Sequence, residues 1–171
     1  DVFQVDERIA SDGDPARNLT DLRTRLTAAV LPDRQLHTIP VGSGPTGAAE
    51  QYAATLAEVL GEPAVLDVVH LGLGDDGHTA SLFPGAPGYA RAITTEQRLA
   101  WVVPEQAPVP APHARISFTL SALLAARQLL LSIAGESKLA VYRRAAEKAD
   151  EALPISLVLH QTQTPVSVWI G

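Results

Sequence analysis

The stretch that most restricts what this chain can become runs from Val68 to Gly85 and reads VVHLGLGDDGHTASLFPG. Its apolar opening, Val68, Val69, Leu71 and Leu73, leads directly into Gly72, Gly74 and Gly77. Apolar, β-branched residues running into glycines predict a buried strand whose carboxyl end opens into a tight turn. In open α/β sheets, ligands sit at that edge. Glycine there permits positive φ and close approach of the backbone, so its N–H groups can face an anion or a developing oxyanion. Asp75, Asp76 and His78 stand among the glycines, and an imidazole so placed takes protons near neutral pH.

Three readings compete for the stretch. As a plain glycine-rich loop, it would leave His78 a solvated side chain. As a dinucleotide fingerprint, Gly72-x-Gly74-x-x-Gly77 matches in letters only. Asp75 and Asp76 would meet a pyrophosphate with like charge, and Pro84 breaks the helix that should follow. A hydrolytic or isomerising site built on His78 fits the residues better.

Over GLGDDGHTASLFPG the chain resembles the 6-phosphogluconolactonases, within the larger family that also holds the glucosamine-6-phosphate deaminases. The deaminases share the Asp-Gly-His but continue with Asn-Glu-Pro, whose glutamate serves ring opening. Here Leu82-Phe83-Pro84 stands in that place, which points to the lactonase branch. The resemblance implies His78 as general base and Asp76, directly before Gly77-His78, as the carboxylate that orients or charge-tunes it. The backbone N–H groups from Gly74 to Gly77 are expected to bind substrate by steadying the oxyanion.

Val2 to Val5 reads as a strand with Asp6-Glu7-Arg8 at its carboxyl end, by residue type a solvated terminus. The family shows a strand ending in Asp-Glu-Arg, then an Asn before a helix. Asn18 takes that place as an expected N-cap, with Leu19, Leu22, Leu26 and Val30 at helical spacing before Pro32. By the resemblance, Arg8 reaches the substrate and Asp6 lines the site. A strand over Leu36 to Ile39 is followed by a Gly-Ser loop without the Lys-Ser/Thr of a phosphate cradle, hence a connector. Ala49, Tyr52, Ala53, Leu56, Val59 and Leu60 then mark a helix closed by Gly61 and Pro63.

Leu99 to Val103 reads as a strand, and the proline-rich piece from Pro104 to Pro112 as a rim that leaves His113 solvated. Arg115 to Thr119 alternates like a strand, and Leu129 to Ile133 is a buried one ending at Gly135. Pro112, Arg115 and Ile116 match the family's Pro-x-x-Arg-Ile-Thr, with Ser117 for the Thr, and Lys138 matches its early helical lysine. The resemblance makes Arg115 and Lys138 a phosphate clamp at the carboxyl edge of one sheet, suited to a dianion. Leu153 to Ser156 reads either as the short helix the family has or as a strand. In the last strand, Val166 to Ile170, Trp169 is expected in the core, and His160 is expected to be structural or exposed.

Strand–helix alternation predicts an α/β fold, with a mainly parallel sheet and helices on both faces, Rossmann-like and doubly wound. At 171 residues this is a single domain, 1–171, lactonase-like by the resemblance. A net charge of −6 disfavours nucleic acid or an anionic membrane as partner. No apolar run is long enough to cross a membrane and no signal-peptide pattern opens the chain, so no membrane partner is expected. Without cysteine there is no disulfide framework, which fits the cytoplasm.

The expected activity is hydrolysis of 6-phosphogluconolactone to 6-phosphogluconate in the pentose phosphate pathway. The alternatives are a deaminase or isomerase of the same fold, or a non-catalytic sugar-phosphate-binding protein. The expected ligand is a sugar-phosphate lactone, and the expected state a monomer or small homo-oligomer. No cofactor is expected, because a lactone is already an activated acyl group. No metal is expected either, since Asp76 and His78 alone are too few for a zinc site. Methionine is absent, and Val2 to Val5 looks like an interior strand at the very start. The polypeptide is therefore expected to extend beyond Asp1 by about one strand–helix–strand unit, the family's first third.

Overall fold

In the computed structural model, which describes residues 1–26, 30–102 and 113–171, short strands alternate with helices from end to end. The order is β1 (Val2–Phe3), β2 (Asp6–Arg8), α1 (Asn18–Arg25), β3 (Leu36–His37), α2 (Gly44–Leu60), β4 (Val68–Leu71) and α3 (Tyr89–Thr94). Then come β5 (Leu99–Val102), β6 (Arg115–Phe118), α4 (Leu120–Leu124), β7 (Gln128–Ile133), α5 (Glu136–Ala145), α6 (Pro154–Leu159) and β8 (Val166–Ile170). This is the α/β architecture expected from the sequence.

The described strands fall into three sheets. β4, β7 and β8 are parallel with β7 central, so that Leu71 lies beside Leu131 and Leu131 beside Val168. β1 and β3 form a parallel pair. β2, β6 and β5 make an antiparallel sheet around β6, in which Asp6 faces Ser117 and Arg8 faces Arg115. Parallel neighbours need a crossover, and α5 with α6 supplies it between β7 and β8. The core forms where Val69 and Leu71 of β4, and Leu129, Leu131 and Ile133 of β7, meet buried residues of the helices, among them Leu56, Leu123, Ile155 and Val158. In α2, Ala48, Tyr52 and Leu56 stand four apart and bury one stripe. Pro45 opens that helix and Gly61, at φ 80°, ends it.

Several sequence expectations change in detail. β4 alternates, with Val69 and Leu71 inside while Val68 and His70 face outward. The same period of two puts Trp169 on the outer face of β8, 68% exposed beside Ser132, so it is not a core residue. α1 ends at Arg25 rather than running to Pro32. Asn18 is not its N-cap: the residue sits in the first turn, and its side chain bonds Asp6. The Leu153–Ser156 ambiguity resolves as helix, because Pro154 opens α6. The proline-rich piece from Pro104 to Pro112 lies outside the described residues. A groove of about 680 Å³ separates β1 from β4 and is lined by Val2, Phe3, Val5, Leu66, Val68 and His70 among others.

Candidate active site

The turn after β4 is held by its own backbone. The Gly74 N–H donates to the His78 carbonyl at 2.9 Å, and the Gly77 N–H to the Gly74 carbonyl at 3.0 Å. Gly77 stands at φ 85°, a left-handed conformation that glycine adopts without steric cost. A Cβ there would lie 2.8 Å from Leu153 Cδ2, and the Gly77 carbonyl accepts the Ile155 N–H of α6 at 3.0 Å. At Gly74 a Cβ would overlap the His78 ring and crowd the Asp76 carboxylate. Both glycines therefore shape the turn. Their own N–H groups are spent inside it, so among the backbone donors expected from Gly74 to Gly77 these two are already engaged.

This closeness brings His78 and Asp76 together. His78 Nδ1 and Asp76 Oδ1 are 2.5 Å apart, and the same oxygen accepts the His78 backbone N–H at 3.1 Å. Partial burial pushes the Asp76 carboxyl up. The hydrogen bond and charge of His78, with backbone N–H groups, outweigh it and hold the carboxyl below its ordinary value. An aspartate on Nδ1 fixes the proton there and leaves Nε2 as the basic nitrogen. The Phe83 ring packs on the imidazole with centroids 4.3 Å apart.

Past His78, Thr79 donates to the Gly72 carbonyl at 2.9 Å, and Ala80 turns the chain at φ 47°. Ser81 then donates to Asp6 Oδ2 at 2.6 Å and takes Ser117 Oγ on its backbone N–H at 3.1 Å. Asp6 is thereby joined to the His78 loop.

Opposite stands a pair of arginines. Arg8 and Arg115 are direct cross-strand partners on β2 and β6. The Arg115 guanidinium carbon lies 4.9 Å from the centre of Phe83, the ring that packs on His78. Burial pulls the Arg115 guanidinium below its ordinary value and the charge of Arg8 adds to this, while Asp6 and Glu7 oppose it. Nε of each arginine is buried without a partner, and neither side chain forms an ion pair among the described residues. Two adjacent guanidinium groups so placed are suited to a doubly charged anion.

Arg115 opens an antiparallel strand, so it does not share a sheet edge with Lys138. Lys138 lies in the first turn of α5, half-buried, at the carboxyl edge common to β4 and β7. It makes no hydrogen bond or ion pair with the other site residues among the described residues. Three further residues, Phe83, Ser81 and Glu7, escaped the sequence reading as members of the site. The signal for Glu7 lay in strand alternation: if Asp6 and Arg8 share one face of a strand, Glu7 must point the other way.

The described residues thus place an aspartate-tethered histidine after a parallel strand of an α/β fold, with Arg8 and Arg115 paired on a neighbouring sheet. The family of glucosamine-6-phosphate isomerases/6-phosphogluconolactonase matches residues 1–169, and the chain belongs to it. A 6-phosphogluconolactonase of Neisseria meningitidis is 46% identical over 94 residues, 55% of this chain and 40% of that protein. One from Streptomyces coelicolor is 38% identical over 149 residues, 81% of this chain and 55% of its own length. The crystal structure of a 6-phosphogluconolactonase from Shewanella baltica superposes with a TM-score of 0.86 at 35% identity, covering 98% of this chain and 70% of that one. The chain spans about half the length of the sequence relatives it matches.

Proposed function

We propose that this chain carries the catalytic site of a hydrolase that opens 6-phosphogluconolactone to 6-phosphogluconate, in the pentose phosphate pathway. The observation that carries the proposal is the 2.5 Å contact between His78 Nδ1 and Asp76, which leaves Nε2 basic. Nε2 takes a proton from a water molecule as its oxygen attacks the lactone carbonyl carbon. The tetrahedral intermediate collapses by breaking the bond from that carbon to the ring oxygen. The imidazolium returns its proton to the departing oxygen, and the new acid then ionises, releasing one proton per turnover. Asp76 stabilises the imidazolium between the two transfers.

Arg8 and Arg115, with Lys138, hold the phosphate and hydroxyl groups, and Asp6 belongs to the same site through its tie to Ser81. Catalysis needs no organic cofactor in this scheme. A cytoplasmic location and a monomer or small homo-oligomer belong to the same proposal. So does its extent: the groove between β1 and β4 takes a strand of a longer polypeptide, in keeping with the greater length of the relatives. Such a strand would join the two parallel sheets into one.

Proton release on freshly prepared lactone, read against spontaneous hydrolysis, tests the activity. Release well above background for the phosphorylated lactone, and much less for its unphosphorylated counterpart, is expected. Ammonia from glucosamine 6-phosphate without lactone hydrolysis would replace this reading with the deaminase one. Binding of 6-phosphogluconate without turnover would make the chain a binding protein.

A further inference from the structure

Glu7 is fully buried, yet among the described residues its carboxylate is the most heavily used side-chain acceptor. Oε1 accepts the backbone N–H groups of Arg8 and Asn18, each at 2.7 Å. Oε2 accepts the Leu19 N–H at 2.9 Å, Gln4 Nε2 at 3.0 Å and Arg17 Nε at 3.4 Å. Burying a carboxylate costs several kcal/mol unless its lone pairs are filled, and here they are. Two of the donors are the opening N–H groups of α1, whose partial positive charge suits an anion.

β2 is a strand, so successive side chains alternate, and its burial follows suit with only Glu7 fully inside. Glu7 points to the interior, while Asp6 and Arg8 share the opposite face. Both neighbours depend on what Glu7 grips. Arg8 Nη1 donates to the Ala16 carbonyl at 2.8 Å, two residues before the Asn18 N–H that Glu7 holds. Asn18 Nδ2 donates to the Asp6 carbonyl at 3.1 Å and to Asp6 Oδ1 at 3.2 Å. Without the carboxylate, the start of α1 would keep only the Asn18–Asp6 side-chain bonds to β2, and the Ala16 carbonyl would be held less firmly.

We infer that Glu7 is a positioning residue, which sets the Arg8 guanidinium beside Arg115 by clamping the α1 start onto β2. It acts through Arg8 and touches no substrate. The consequence for substrate affinity rests on the lactonase reading, whereas the consequence for Arg8 itself does not.

Glu7→Gln keeps the shape but turns one acceptor into a donor facing donors. The first readout needs no substrate: the side-chain Nε–H resonance of Arg8, identified by its loss in Arg8→Ala. In the unmutated protein this buried group should exchange slowly with solvent. In Glu7→Gln it should shift and exchange at least tenfold faster. Leu123→Ala, a core substitution in α4, serves as the control for general destabilisation and should leave it unchanged.

The second readout is kinetic. KM for the phosphorylated lactone should rise about tenfold with kcat within threefold, the size expected for one charge-assisted bond. Adding Glu7→Gln to Arg8→Ala should raise KM less than twofold further, because the two act as one unit. An unchanged Arg8 resonance in folded Glu7→Gln, or KM effects that multiply independently, overturns the inference. Should Glu7→Gln fail to fold, Glu7→Asp, whose shorter arm cannot span both rows of donors, is read in the same way. If the unmutated protein hydrolyses no lactone, the functional reading fails and the resonance alone decides the role of Glu7.

Discussion

At the scale of single residues, His78 and Asp76 show how a short-range motif yields its geometry to a sequence reading. Aspartate, glycine and histidine within three positions leave little choice, since Gly74 and Gly77 permit only a turn that brings carboxylate and ring together. Phe83 and Glu7 were harder. Their roles depend on the direction in which a side chain points once the strand and loop are packed, and residue type does not reveal it. Asp76 also carries a pH signature. Its carboxyl is held below the ordinary value in the folded state, so between the two values the unfolded chain binds more protons. The resulting stability is present above the ordinary carboxylate range and is lost as pH falls through the lowered folded value. Denaturant titrations should show the unmutated protein weakening more steeply than Asp76→Asn below about pH 4. Parallel curves for the two would remove the His78–Asp76 bond from the folded-state account.

At the scale of elements, the arginine pair is made by strand register. Arg8 and Arg115 are more than a hundred positions apart in sequence and become neighbours because β2 and β6 pair antiparallel. The family resemblance named both residues, but no spacing in the sequence could place them side by side. It also set Arg115 at one sheet edge with Lys138, whereas β6 belongs to the antiparallel sheet of β2, β6 and β5. Arg115→Ala should raise KM roughly ten- to a hundredfold for the phosphorylated lactone and leave the unphosphorylated one nearly unchanged. Equal losses for both substrates would mean that Arg115 does not hold the phosphate. The meeting of the β4 turn with α6 makes a second prediction. Gly77→Ala places a side chain at positive φ against Leu153, and should cost about 1–3 kcal/mol in denaturant unfolding. A loss within measurement error would show that the turn relaxes freely away from α6.

For the molecule as a whole, the α/β alternation was legible because each helix and strand carries its own period and its own breaker. The division into three sheets was not, because β1 and β2 follow one another with only two residues between them and read as one strand. The groove between β1 and β4 is the place where a further strand would unify the parallel sheets. Intact mass of the protein from its natural source should accordingly exceed the 18.1 kDa of these residues, and a mass equal to it would withdraw that strand. The central claim, that His78 is the base of a lactone hydrolase, meets its most direct test in one comparison. Proton release from fresh 6-phosphogluconolactone is measured for the unmutated protein and for His78→Ala. The account predicts that the rate above spontaneous hydrolysis falls at least about a hundredfold with KM little changed, as expected for the loss of a general base. A variant that retains near-full turnover above the spontaneous rate would contradict it.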